Sequence, residues 1–321
     1  VYGEEDLLPP PNTSTKEVEQ AHNIRRKVQR KLSKKRKKNY RDGTCRTLPL
    51  PHNNFATILS DDKTVVLSDT IRIPGAVTPD TGVLSVSSLD VFEMLQKGSL
   101  LNDNVVQGYI NLLGSAFGSS HGVRVVNTNF FKYLESAGWD KVLRWMQSSE
   151  VMESNWDTAP IILVPIFTGH NKSGHWSNLF RLGTSIKCTI YDDSLGEQTA
   201  RENAEKVRKE IDSTPLLHDS IHWSVARSPV QIGDGNACGV YTALKCAALL
   251  KAFADERLFI IDKNAQTYIA TCQMVGDVSV ADFEESGRLH ILESLCQGSI
   301  NLDHPAIATL ELRIRGPTAL L

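Results

Sequence analysis

The side chains best suited to chemistry are one histidine, two adjacent aspartates and one cysteine, in the order His175, Asp192 and Asp193, Cys238. Cys238 follows the glycine-containing stretch QIGDGNA. It opens a segment, CGVYTALKCAALLKAF, that is helical by composition and by the spacing of Val240, Leu244, Ala247 and Ala248. Unpaired N–H groups and the positive end of the helix dipole stabilise a thiolate in that first turn, and a nearby imidazolium adds to the effect. Gly233, Gly235 and Gly239 permit the tight backbone that exposes a sulfur and brings a carbonyl close. Seven residues upstream, Gln231 offers a side-chain amide that can donate to an oxyanion together with the backbone N–H of Cys238. The chemistry open to such a set is acyl transfer through a thioester, with the imidazole as base. The other cysteines, 45, 188, 246, 272 and 296, read as small packing residues.

Two β-patterned arms must bring histidine and aspartate together. HWSNLFRL and IKCTIYDD flank the turn GTS and read as a hairpin. A three-residue loop sets Leu182 opposite Ile186 and His175 opposite Asp193, whereas a two-residue loop sets His175 opposite Asp192. Either aspartate would then lie within reach of the ring. APIILVPIF reads as a central strand and SIHWSVA as a further one, while EQTARENAEKVRKEID buries Ala200, Ala204, Val207 and Ile211 on one helical face. Helix starts are marked by Ser88, with Asp90 in the first turn, and by Asn102 and Asp103 ahead of Val105, Val106, Tyr109 and Ile110. ADFEESGRLHILESLC continues the helical pattern near the end of the chain.

The 321 residues are 41% hydrophobic, enough for a substantial core. Apolar runs of about nine residues fall short of the ~20 that a membrane helix needs, so no membrane partner is expected. The first twenty residues lack the basic-then-apolar pattern of a secretory signal. Widely spaced cysteines without a Cys-x-x-Cys pair suit reduced thiols of the nucleus or cytoplasm, and exclude zinc ribbons. The net charge of −2 conceals a basic run, residues 25–41, which holds 11 of the 35 Lys and Arg and no acid. The remaining 24 bases face 37 acids, a charge of −13. Residues 1–55 therefore read as a disordered tail carrying that run, a contact for an import receptor or for nucleic acid. TVVLSD and TIRIPG read as a lead-in hairpin or as edge strands of a domain of residues 56–300, and residues 301–321 read as a C-terminal extension. His218 and His222 in HDSIH are spaced like zinc ligands, but Asp219 replaces the usual glutamate, no third ligand is evident and the segment is strand-like, so no metal is expected.

SGHWSNLF, YDDSLG and QIGDGNACGVY resemble, in order and spacing, the catalytic segments of the ubiquitin-like-protein-specific proteases, the SUMO or sentrin protease family. Upstream, SLDVFEMLQKGSLLNDNVVQGYINLL and VNTNFFKYLESAGWDKVLRWM resemble that family's opening segments, so the likeness covers residues 83–253. It implies an α+β, papain-like cysteine protease fold with a mixed central sheet flanked by helices, and neither metal nor organic cofactor. It also implies His175 as base, Asp193 as its orienting acid, Cys238 as nucleophile and Gln231 as oxyanion donor. Trp176 would cover the tunnel that threads a modifier's Gly-Gly tail, with Leu100, Asn102 and Asp103 on the substrate side. The chain departs from the family at Leu100, usually Trp, at Ala237, usually Asp, and in a Gln-to-Cys spacing one residue longer. A SUMO-like modifier and its conjugates are the implied substrates. The competing readings are a viral-type polyprotein protease of the same fold and a non-enzymatic nuclear nucleic-acid-binding protein.

Overall fold

The computed structural model describes residues 71–72, 85–86, 90, 94, 99–142, 158–169, 174–212, 214, 222–231, 236–276 and 278–320. The tail with its basic run, TVVLSD, Ser88, His218, Gly233 and Gly235 lie outside the described residues. A short antiparallel pair, β1 (Ile71–Arg72) and β2 (Ser85–Val86), comes first. Helix α1 (Asp103–His121) follows, with Asn102 at its N-cap. The cap is bifunctional: Asn102 Oδ1 accepts the Val105 N–H at 3.1 Å, and Nδ2 donates to Asp90 Oδ1 at 2.7 Å. The helix ends at Gly122, whose φ of 68° is the left-handed conformation such a C-cap requires.

The central sheet holds β3 (Arg124–Val125), β4 (Ile161–Thr168), β5 (His175–Leu182), β6 (Cys188–Asp192) and β7 (His222–Val225), side by side in that order. The outer pairings are parallel and the inner two antiparallel, so the sheet is mixed. Pro165 sits inside β4 because β3 pairs only with Ile162 and Leu163; beyond them β4 is locally an edge that spares its missing N–H. Helix α2 (Phe130–Ala137) and helix α3 (Glu197–Ile211) pack on one face. Ala204, Val207 and Ile211 of α3 close a core with Ile162, Val164, Ile166, Leu179 and Tyr191, the stripe that their spacing foretold. The opposite face carries α4 (Cys238–Ala254), in which fourteen of seventeen residues are buried. An all-round buried helix explains why its sequence shows no polar face.

The five-stranded sheet and a second one meet through Arg227, whose backbone bridges Ala270 and Cys272. The second sheet places β10 (Leu310–Gly316) between β8 (Phe259–Ile261) and β9 (Ile269–Met274). Helices α5 (Val280–Gln297) and α6 (Pro305–Ala308) precede β10. Residues 301–321 thus supply a middle strand that packs on α4, within the same unit, Lys63–Leu321, as the rest of the described residues. The alternation of Leu310, Leu312 and Ile314, all buried, is what drives that strand inward.

Arg288 of α5 shows what the later helices contribute. Its buried guanidinium donates to the carbonyls of Met94 at 2.6 Å, Ser99 at 2.5 Å and Asn236 at 3.5 Å, and pairs with Glu284 at 2.7 Å. Replacing it with alanine leaves those acceptors without their donor. Arg288→Ala is expected to cost about 3 kcal/mol of unfolding free energy, and Arg288→Lys less, by urea titration. A loss below ~0.5 kcal/mol would contradict the reading.

Candidate active site

His175 opens β5 and Asp193 follows directly on β6, so the end of the sheet brings them together. His175 Nε2 lies 2.7 Å from Asp193 Oδ1. The register differs from the sequence expectation. Leu182 pairs with Cys188 and Asn178 with Asp192, making the loop the five residues 183–187. Gly183, at φ 92°, turns the chain so tightly that a Cβ there would meet the Ile186 carbonyl oxygen at 2.0 Å, which keeps Ile186 out of the ladder. His175 consequently faces the position of Leu195, two residues on, and reaches Asp193 diagonally.

Strand alternation separates the two aspartates. Asp193 Oδ2 accepts from the Tyr191 hydroxyl at 2.9 Å and from Asn203 Nδ2 of α3 at 3.2 Å, while Oδ1 also accepts the Leu195 N–H at 2.9 Å. Asp192 points the other way, to Lys245 Nζ of α4 at 2.9 Å and to the Ser228 hydroxyl. Burial pushes the Asp193 carboxyl up, but the bonds from His175, Asn203 and Leu195 outweigh it and hold the group below its ordinary value. For His175, burial works downward, and hydrogen bonds to Asp193 and Cys238 reverse it, raising the imidazole to about 9.

Cys238 is buried at the first turn of α4, behind an N-cap residue, Ala237, that offers no side-chain cap. The helix N–H groups there are not claimed by a capping side chain. Gly239 permits close packing, since a Cβ on it would meet Leu101 Cβ at 2.7 Å and Trp176 Cδ1 at 3.2 Å. Gly239→Ala is expected to cost about 1–3 kcal/mol, because the added Cβ must displace Leu101 or Trp176. Chemical denaturation checks it. Gln231 is half-buried; its N–H donates to the Ser194 carbonyl at 2.9 Å, and the Ser194 hydroxyl donates to its Oε1 at 3.4 Å, so Ser194 fixes the amide's oxygen end.

The other expected site residues divide. Trp176 is buried against Phe167, ring centroids 4.8 Å apart, and its indole N–H donates to the Leu101 carbonyl at 2.8 Å. Leu101 therefore meets the helix of Cys238, and Leu100 beside it is half-buried. Asn102 is engaged in capping α1, and Asp103 lies in that helix's first turn, favourable to its dipole. Tyr191, Ser194 and Asn203 were absent from the sequence reading. Asn203 had a signal, a polar residue inside the apolar stripe of Ala200, Ala204 and Val207. Burial raises the thiols of Cys188 and Cys272 to about 12 and of Cys296 to about 11, and pushes Cys246 up as well. These four remain protonated.

Among the described residues, His290, Glu293 and His304 have the donor types and proximity for a metal ion, with donor atoms within 4.8 Å of one another. Their other contacts oppose it. His304 Nδ1 accepts the Ala306 N–H at 3.2 Å, which puts the neutral ring's proton on Nε2, and His290 Nε2 bonds the Tyr109 hydroxyl at 3.0 Å. The two rings stack at 4.3 Å and join α5 to α6 and α1. Of the zinc-spaced histidines in HDSIH, His222 begins β7 with its ring against Tyr268.

An α+β domain in which a cysteine heads a buried helix, and a histidine–aspartate pair closes the end of the sheet beneath it, is papain-like in class. Over 154 residues, 44% of this chain, the sequence is 32% identical to Sentrin-specific protease 2 of Pongo abelii. The match spans 24% of that protein, so the chain corresponds to about a quarter of such a relative. A crystal structure of a de-sumoylating protease, 14% identical, aligns with 71% of this chain and 91% of its own at a TM-score of 0.47. The catalytic domain of the Chaetomium thermophilum Ulp1-like SUMO protease, 19% identical, covers 69% and 82% at 0.45. No protein-family model matches the chain. Over those 154 residues the chain is similar in sequence to the sentrin-specific proteases.

Proposed function

We propose that this protein is a thiol-dependent protease that hydrolyses the peptide or isopeptide bond at the C-terminus of a ubiquitin-like modifier, one resembling SUMO. The observation that carries the reading is the His175 ring, bonded at 2.7 Å to buried Asp193, in a fold where Cys238 heads the buried helix α4. The imidazole, raised to about 9, carries a proton at neutral pH, the partner that cysteine nucleophiles use. The Cys238 thiolate attacks the carbonyl carbon after the modifier's last glycine, forming the S–C bond and a tetrahedral oxyanion. Gln231 and the Cys238 N–H donate to that oxyanion. As the C–N bond breaks, His175 gives its proton to the leaving amine, leaving an acyl-enzyme. Water then attacks the thioester, His175 takes a proton from it, and the thiolate departs with the modifier's carboxylate formed. On the family resemblance Trp176 and the segment from Leu100 to Asp103 would border the modifier's tail, with Leu100 where the family has a tryptophan.

A panel of modifiers bearing a thiol-reactive C-terminus tests the proposal. Covalent capture of a SUMO-like probe, abolished in Cys238→Ser, supports it; no capture of any modifier by the folded protein refutes it. The basic run at 25–41 favours an import receptor as a second partner and a nuclear location. Its deletion should redistribute the protein to the cytoplasm while leaving probe capture unchanged. If deletion rather than Cys238→Ser removed the activity, the nucleic-acid-binding reading would take its place.

A further inference from the structure

Lys245 lies two turns along α4 from Cys238, and its ammonium is buried with the carboxylate of Asp192, each side chain 1% exposed. An ion pair at such depth costs desolvation, so it is weak evidence of stabilisation and calls for another account. Its location supplies one. Asp192 immediately precedes Asp193, on the opposite side of the same strand, and Lys245 belongs to the helix that begins with the nucleophile. The pair therefore ties the strand end holding His175's acid to the helix holding its thiol.

We infer that Lys245 is a positioning and charge-balancing residue: by neutralising Asp192 it leaves Asp193 as the one uncompensated carboxylate of the pair, and so sets the proton affinity of the His175 imidazole. The inference rests on the proposed roles of His175 and Cys238. Two full negative charges on successive residues beneath a histidine would over-stabilise the imidazolium and hinder its proton donation to the leaving amine. The other groups around the pair do not supply this balance. On α4 these are the Tyr241 ring, 5.5 Å from Lys245 Nζ, and the Cys246 thiol, and β9 contributes the Cys272 thiol. Ser228 donates its hydroxyl to Asp192, and Tyr191 lies on the strand face of Asp193. All of these are neutral near pH 7, because burial raises both thiols and both phenols. Facing His175 itself are Asp193 and Cys238.

The test is the His175 titration, followed by nuclear magnetic resonance of the imidazole nitrogens in the full chain. It depends neither on access to the buried sulfur nor on a known substrate. Lys245→Met leaves an extra anion and should raise the midpoint by roughly half a unit to one unit; Asp192→Asn leaves an extra cation and should lower it by a similar amount. The double variant should return it to the unaltered value and restore hydrolysis to within about threefold, because the charge is again balanced. A purely structural tie would change the melting temperature without these opposed shifts, and midpoints that do not move overturn the inference. Should Lys245→Met fail to fold, the downward shift in Asp192→Asn decides the matter alone. If the midpoints move as described while no modifier is cleaved, the charge balance stands and the proposed protease function falls.

Discussion

Cys238→Ala is expected to abolish hydrolysis, by at least about 10⁴-fold in kcat, while the melting temperature moves by only a few degrees. The size follows from chemistry, since no other group near the site can take over. The four other described thiols are held protonated by burial. His175 without a sulfur partner would have to activate water directly. The small stability effect follows from what the sulfur touches, a helix first turn in which Cα and backbone are unchanged. Measuring turnover of a modifier–fluorophore fusion beside a thermal melt separates the two. Residual activity above one part in a hundred, in a preparation free of unaltered enzyme, would mean that the nucleophile has been misassigned.

Asp193→Ala is expected to lower kcat by about 10³-fold and to destabilise the protein, whereas Asp193→Asn should retain substantially more of both. Alanine strands four donors at once: the His175 ring, the Tyr191 hydroxyl, Asn203 Nδ2 and the Leu195 N–H. Asparagine keeps an oxygen for His175, an arrangement that cysteine–histidine sites tolerate, but its NH2 cannot accept from the Tyr191 hydroxyl and Asn203 Nδ2 as Oδ2 does. The pH dependence then isolates the charge, because the lost acceptor does not titrate. The folded imidazole is raised from 6.5 to about 9, so its contribution to stability is complete below pH 6.5 and is lost as pH rises through about 9. Asp193 is depressed, so its contribution is present above its ordinary value of 3.8 and is lost as pH falls through the lower folded value. The unaltered protein should therefore exceed Asp193→Asn most between about pH 4 and 6.5, by on the order of 3 kcal/mol, with the gap closing toward pH 9 and above. Urea titrations across that range check the sign. A gap that widened as pH rose past 9 would contradict the histidine–aspartate pairing.

Much of the scaffold was legible because its patterns are local. The apolar stripe of α3, the cap at Asn102, the buried run of β4 and the start of α4 at Cys238 each depend on residues within a few positions of one another, and each lies where its pattern places it. The later part of the chain was read less well. A strand such as β10 gains its meaning from partners at 259–261 and 269–274 and from the helix beneath it, none of which a local pattern identifies.

The same division runs through the site. Residue types, their order and the spacing of His175, the Asp192–Asp193 pair and Cys238 were fixed by the chain alone, since each sits in a short motif whose chemistry needs no partner to be recognised. Which aspartate meets the histidine was left to hairpin register, and register depends on how one glycine turns the loop against strand β4 and on side-chain packing of the two sheet faces. Tertiary structure alone decided that Asp193 is reached diagonally, that Asp192 is paired with Lys245, and that Arg288 fastens the turn before Cys238. Those bonds join residues from 18 to 194 positions apart, and only the folding of the chain in three dimensions makes them neighbours.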